Sequence, residues 1–411
     1  MQASIGISPP RPDEPRVRFL VELARALGTY GTSSNRLEEV TAVCAAELGL
    51  RAQTFSTPTS VFVSVESDDN LATYLARVTP GEVNINKLMQ IDRLFNLVIA
   101  EKLTPQEGIA QIKEVVNESP LYPMWLTVLC YGLVSGCVGA FLGGGFQEMI
   151  ASGAIGLVIG VLVHFTGSKR ELSRLMEFLS GLSAALIAGL FSIPFVGYMP
   201  AISAIAGIIV LLPGLTLTVA MVELATKHVV SGSARLIGAI MVLLVIGFGV
   251  VIGQGLSGVF VEQPEFFASH TLGWMVEVPA LLVATLGAAV LFQAKFQYAW
   301  AMVLAGFLSF YSARYGTQYL GLEAGALFAA MALGCACNLY ARIFDRPAVT
   351  MMMPGLLMLV PGSLGLKSLQ LFLKNETVDG VQSTVTVLII GVALVVGLLL
   401  SNVILPPRKV L

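Results

Sequence analysis

Leu211-Leu212-Pro213-Gly214 lies in the middle of an apolar stretch running from 200 to 225. It returns 148 residues later as Leu359-Val360-Pro361-Gly362, inside a second apolar stretch from 347 to 372. A proline within a helix has no amide to donate and clashes with the carbonyl four residues back, and an adjoining glycine lets the chain bend further. Both copies therefore predict a helix broken near its centre. The same displacement aligns Ser231-Gly232 with Asp379-Gly380, and one of 150 aligns Phe146-Gln147 with Phe296-Gln297.

The surroundings of the two breaks are strongly apolar. Of 411 residues 55% are hydrophobic and only 12% charged, against roughly 25% charge in soluble domains, so a bilayer is the expected solvent. Ten apolar stretches are long enough to cross about 30 Å of hydrocarbon: 124–145, 148–167, 173–195, 200–225, 235–258, 272–294, 297–314, 319–341, 347–372 and 381–404. Backbone amides in lipid must be paired within their own segment, so these stretches are predicted as helices.

The repeat divides the ten into five and five. Five is odd, so a second copy enters the bilayer from the opposite side, which gives an inverted-topology repeat of the kind secondary transporters use. Chance likeness between two apolar segments drawn from a small alphabet is the competing explanation. The expected fold is thus an all-α polytopic membrane protein of about ten helices in a 5+5 inverted repeat, preceded by a small α+β cytoplasmic domain. The expected divisions are 1–120, 121–258 and 259–411.

The leading 120 residues are different in kind. They hold eleven of the 24 Lys and Arg and lack a signal-peptide pattern, which predicts that they stay in the cytoplasm. Helical spacing covers Val17–Leu27 and Leu37–Leu48, and alternation around Gln53–Ser56 and Val61–Glu66 suggests strands, after which helices are expected to resume. Thr104-Pro105-Gln106-Glu107 is a capping box that opens a helix to about Asn117.

With this head inside, the inner connections and tail carry Lys169, Arg170, Arg174, Lys227, Arg235, Lys295, Arg342, Arg346, Arg408 and Lys409, whereas the outer ones carry Arg314 and Lys374. That bias fits the positive-inside rule and places both termini in the cytoplasm.

Composition and motifs remove several classes of function. A net charge of −2 without a basic patch excludes nucleic-acid binding. No phosphate-cradling loop of the Gly-x-x-x-x-Gly-Lys-Ser/Thr type occurs, and the Gly143-Gly144-Gly145 run falls between spans. The head has no histidine to serve a nucleophile, which argues against a hydrolase and against an enzyme in general. Cys44, Cys130, Cys137, Cys335 and Cys337 read as buried small hydrophobes, so no metal and no cofactor are expected.

Binding is expected at the breaks. A half-helix that starts at membrane depth presents free amides and a positive dipole end, suited to a carboxylate. The candidate substrate-binding residues are Pro213, Gly214, Thr216 and Thr218 in one copy and Pro361, Gly362 and Ser363 in the other. A packing kink without ligand is the plainer alternative. Ionisable residues within spans are costly and point to function. Glu223 and Lys367 follow their respective breaks at similar distances and are expected to pair, and Glu177 and Glu277 are further candidates for proton or charge coupling. Glu323 and His164 complete the set, with snorkelling to the interface as the alternative for those near span ends.

The head also carries a recognisable pattern. Gly31-Thr32-Ser33-Ser34-Asn35-Arg36-Leu37-Glu38, Thr57-Pro58-Thr59, Arg77-Val78, Val83-Asn84-Ile85-Asn86-Lys87-Leu88 and Leu103-Thr104-Pro105-Gln106-Glu107 together resemble the threonine/serine exporter family of bacterial inner membranes. The resemblance runs from about Arg16 to the second Pro-Gly helix. It implies a cytoplasmic N-terminal domain, ten membrane helices and export of L-threonine and L-serine driven by the proton gradient. Some members resemble this chain cut in two after the fifth membrane helix, and those relatives are associated with dicarboxylate export, so succinate is the rival solute. A membrane-bound sensor or enzyme is the other alternative, and the sequence leaves open whether copies assemble into a homo-oligomer.

Overall fold

The computed structural model describes residues 14–67, 70–81, 83–167, 170–194, 197–258, 273–359, 362–373 and 376–407. The head opens with helices α1 (Pro15–Thr29) and α2 (Ser34–Glu47), continues through strands β1 (Arg51–Thr57), β2 (Ser60–Ser67) and β3 (Asn70–Arg77), and closes with α3 (Ile85–Ile99) and α4 (Pro105–Asn117). The strands form one antiparallel sheet in the order β1-β2-β3.

The core of the head follows from periodicity. Leu20, Leu23 and Leu27 of α1, Leu37, Val40 and Cys44 of α2, and Val61, Val63 and Val65 of β2 are fully buried together. Burial pushes the Cys44 thiol up to about 12, which keeps it an inert hydrophobe. The capping box closes as its residues require: the Glu107 amide donates to Thr104 Oγ1 at 3.3 Å and the Thr104 amide donates to Glu107 Oε2 at 2.8 Å.

One element departs from expectation. Strand β3 occupies residues where helices were expected to resume. Its alternation is hard to read because both faces are apolar: Leu71 and Leu75 point outward and are exposed, while Ala76 packs inward.

Among the described residues thirteen helical segments follow the head. These are α5 (Met124–Phe141), α6 (Phe146–Gly167), α7 (Arg170–Ser173), α8 (Met176–Phe191), α9 (Pro200–Gly207), α10 (Gly214–Ala225), α11 (Val229–Gly258), α12 (Trp274–Leu291), α13 (Ala299–Leu320), α14 (Leu322–Phe344), α15 (Val349–Leu359), α16 (Gly362–Leu373) and α17 (Thr377–Ile404). Each expected span overlaps one helix or, at Pro213-Gly214, a pair; within 347–372, Val360 and Pro361 lie outside the described residues between α15 and α16.

Among the described residues seven helices are long and apolar enough to cross a membrane, the α15–α16 pair counting as one, and an eighth is added if the bent α9–α10 pair is one span. Exposed aromatic side chains mark the helix ends. Trp125, Phe165, Phe296 and Trp300 lie toward the head, and Phe146, Trp274, Tyr315 and Tyr319 lie at the opposite end, where amphipathic rings meet headgroups. The 18 residues of α5 separate those levels by about 27 Å, close to one hydrocarbon thickness.

Small residues let the helices approach. In lipid there is no hydrophobic drive between helices, so close backbone contact must supply the packing. A methyl group on Gly181 of α8 would sit 2.2 Å from the Ile246 carbonyl oxygen of α11, and one on Gly249 of α11 would sit 2.3 Å from that of Phe178. Helices α14 and α17 meet in the same manner at Gly397, 2.3 Å from the Leu327 oxygen. Gly249→Leu should therefore force α8 and α11 apart and cost about 1–3 kcal/mol. Gly238→Leu, where nothing lies within 4 Å, should be neutral. Thermal unfolding of the two purified variants checks the contrast.

Candidate functional site at the paired helix breaks

Helix α9 ends at Gly207, a single 3-10 turn covers Ile209–Leu211, Leu212 is extended, and α10 begins at Gly214 with its axis turned by 49°. Pro213 adopts φ −77° and ψ 40°, and the Gly214 amide donates to the Leu212 carbonyl at 2.7 Å, a turn of the inverse-γ kind. The first full helical bond of α10 is Leu217 N–H to Pro213 O at 2.9 Å. Helix geometry leaves the amides of Leu215 and Thr216 without an intrahelical acceptor.

Gly362 of the second Pro-Gly sequence packs against this break. Val360 and Pro361 lie outside the described residues, and a methyl group on Gly362, where the description of α16 resumes, would lie 3.4 Å from Gly214 Cα and 3.4 Å from Leu212 Cβ. The start of α10, carrying roughly half a positive charge, thus rests against α16 in the apolar interior. Residues 214–221 contain no Asp or Glu to neutralise it.

The expected binding residues are distributed around this contact. Gly214 and Gly362 form it. Thr218 is buried, and its hydroxyl donates to the Gly214 carbonyl at 3.2 Å, within its own helix. Thr216 is exposed and Ser363 half-buried, while Pro361 lies outside the described residues.

Glu223 has a different partner from the one expected. Its carboxylate is fully buried, and Arg235 Nε of α11 donates to both its oxygens at 3.0 Å. Lys367 is exposed on α16. Spacing from the breaks placed these two residues at similar depth; α10, however, runs directly into α11, which brings Arg235 back beside Glu223.

The same carboxylate holds the head. The Ser34 amide at the start of α2 donates to Glu223 Oε1 at 2.8 Å, where the helix dipole favours a negative charge. Ser34 Oγ lies 2.6 Å from Ser231 Oγ, and His228 Nε2 lies 3.1 Å from Glu38 Oε2. Part of the Gly31–Glu38 motif is therefore a docking surface for the α10–α11 corner. On the other side of the head, the Ile85 amide donates to the Phe292 carbonyl at 2.9 Å between α12 and α13, and Ile85 packs in one apolar cluster with Ala289, Ala294 and Met302. The head thus touches both halves of the membrane part.

Glu277 of α12 pairs with Arg314 of α13. Glu177 is half-buried in the first turn of α8, and Glu323 and His164 are exposed at helix ends. Reasoning from sequence missed Glu148, which is 4% exposed at the start of α6 and accepts the Gly145 amide at 2.7 Å and the Met199 amide at 2.8 Å. Its signal was the glycine run followed three residues later by a carboxylate: half a capping box at a span boundary. Among the described residues no group of three or more His, Cys, Asp or Glu could hold a metal.

A multi-pass helical membrane protein with a broken helix packed against Gly362 is thereby defined. Two family models, each described as threonine/serine exporter, match residues 18–257 and 277–404. The chain belongs to the threonine/serine exporter family. It is also similar to pheromone-regulated membrane protein 10 of Debaryomyces hansenii, 30% identical over 371 residues that cover 86% of this chain and 36% of that protein. The protein of the same name from Candida albicans is 27% identical over 368 residues (86% and 33%), and that from Saccharomyces cerevisiae is 27% identical over 384 (90% and 48%). The chain spans a third to a half of these relatives. No solved structure matches it.

Removing one partner of a buried ion pair strands the other charge, at a cost of about 3–5 kcal/mol. Arg235→Ala should loosen the head from the membrane part, and protease should then cleave the 118–123 connection sooner than in the parent. Lys227→Ala, an exposed change in the same corner, should leave the cleavage rate unaltered.

Proposed function

We propose that this protein is a secondary transporter that exports L-threonine and L-serine across the cytoplasmic membrane, coupled to the proton gradient. The observation that carries the reading is the helix broken at Pro213-Gly214, whose free α10 start rests against Gly362 of the second Pro-Gly sequence. A positive helix start favours an anion, and free backbone amides at that depth need an acceptor. A solute carboxylate supplies both needs. The carbonyl end of α9 approaches the same level with the opposite polarity and suits an ammonium group, so a zwitterion answers the whole arrangement.

Ten crossings in an inverted 5+5 repeat belong to this reading, with 1–120 as head and 121–258 and 259–411 as the two copies. Helix starts support it: α12 begins 150 residues after α5 and α17 148 after α11. Packing supports it too, because α8 lies on α11 as α14 lies on α17, and α10 touches α17 as α16 touches α11. Alternating access then arises by rocking one copy against the other around the fixed site. The head and the C-terminal end of α17 on one face agree with cytoplasmic termini.

The amide-rich start of α10 could also take a carboxylate of succinate, and this is the second reading; the carbonyl end of α9 beside it disfavours it. In everted membrane vesicles with an imposed proton gradient, labelled threonine and serine should accumulate and succinate should not. Gly362→Leu should lower uptake at least about tenfold, equivalent to about 1.4 kcal/mol, at unchanged protein level. Absence of gradient-driven uptake of either amino acid contradicts the reading, and uptake of succinate in their place selects the second.

A further inference from the structure

The sheet of the head is covered on one side only. Val61, Val63 and Val65 of β2 point inward and are buried with α1 and α2. On the outer face the strand register aligns Phe55 of β1, Phe62 of β2 and Leu75 of β3 as one row. Phe55 is 49% and Leu75 65% exposed, and the rings of Phe55 and Phe62 lie 6.1 Å apart. The next row, Gln53, Ser64 and Thr73, is polar, as a face in water should be. Three large apolar side chains in contact mark an interaction surface.

This row stands at the membrane end of the sheet. Ser56 is buried, and its hydroxyl oxygen lies 3.4 Å from Ser34 Oγ, which lies 2.6 Å from Ser231 Oγ of α11. Strand β1 packs against α11 at this place. Successive side chains of a strand point to opposite faces, so Phe55 looks away from the helices of the head. The first residues of α11, Val229 and Val230, are exposed, and Ile237, Met241, Leu244 and Phe248 continue them as an exposed stripe along the span. The lipid-facing surface of α11 therefore begins where the sheet arrives, and the apolar row extends it.

Charge agrees with a lipid partner. Thr57, Ser60 and Arg77 form the row at the hairpin end, so the two rows nearest α11 contain an arginine and no Asp or Glu. Lys227, just before α11, is exposed as well. Glu66 of the outer face is four residues from Phe62, about 13 Å along the strand. A second copy paired on the open edge of β3 would leave Phe55, at the other edge of the sheet, uncovered.

We infer that Phe55, Phe62 and Leu75 rest in the bilayer leaflet on the head's side, with Arg77 among anionic headgroups. Apolar side chains enter the acyl boundary while a long cationic one reaches back to the phosphates. Lipid is then a second attachment of the head, beside the corner held by Glu223 and Arg235. The inference needs a membrane and no solute, so it stands apart from the exporter reading.

Nitroxide labels at Phe55→Cys and Leu75→Cys, with Leu71→Cys at the far end of β3 as the aqueous reference, test it. The full chain, its five native cysteines replaced, is reconstituted in vesicles of phosphatidylcholine and phosphatidylglycerol. All three positions are exposed, and size-exclusion profiles establish that each variant is folded; if one variant of the row is not, the other carries the test. Oxygen, which concentrates in lipid, should relax the labels replacing Phe55 and Leu75 more than a water-soluble nickel chelate does, and the order should reverse for the label replacing Leu71. Arg77→Glu should raise the access of nickel to the label replacing Leu75. Labels replacing Phe55 and Leu75 that behave as the one replacing Leu71 overturn the inference. Shielding from both reagents, with spin-spin broadening that fades when unlabelled chain is added, overturns it in favour of a second copy.

Discussion

The structure turns on a constraint of the bilayer: a backbone amide at membrane depth must find an acceptor, because no water is there to provide one. A continuous helix meets that demand internally. The break at Pro213-Gly214 does not, and the exposed start of α10 rests against Gly362. Everything around it holds this arrangement in place. Glycine contacts draw α8 to α11 and α14 to α17, and the half-helices rest against those pairs.

Charge is placed with the same economy. Buried carboxylates hold the two ends of the first broken helix: Glu148 where α9 begins and Glu223 where α10 finishes. They differ in company. Glu223 has Arg235 and the start of α2, and so joins the head to the membrane part. Glu148 has the amides of Gly145 and Met199. A head that touches the α10–α11 corner on one side and the α12–α13 corner on the other must feel any motion of one half against the other.

Much of this was legible in the residues. Helix positions followed from apolar length, and the break at Pro213-Gly214 followed from proline chemistry, because both depend on local rules that lipid enforces strictly. Pairings were harder. The expected partnership of Glu223 with Lys367 gave way to Arg235, since depth along a helix says nothing about which face looks where. Strand β3 was hidden by leucines on its outer face, and Glu148 by its position at the edge of a span, where a carboxylate looks like an interfacial residue until the glycine turn is seen to fold over it.

The central claim is that the exposed start of α10 at the broken helix recognises a carboxylate, and equilibrium binding to the purified full chain tests it most directly. L-threonine should raise the unfolding temperature in a saturable manner, whereas L-threoninol, which keeps the ammonium and hydroxyl groups but lacks the carboxylate, should not. Equal stabilisation by the two would contradict the account.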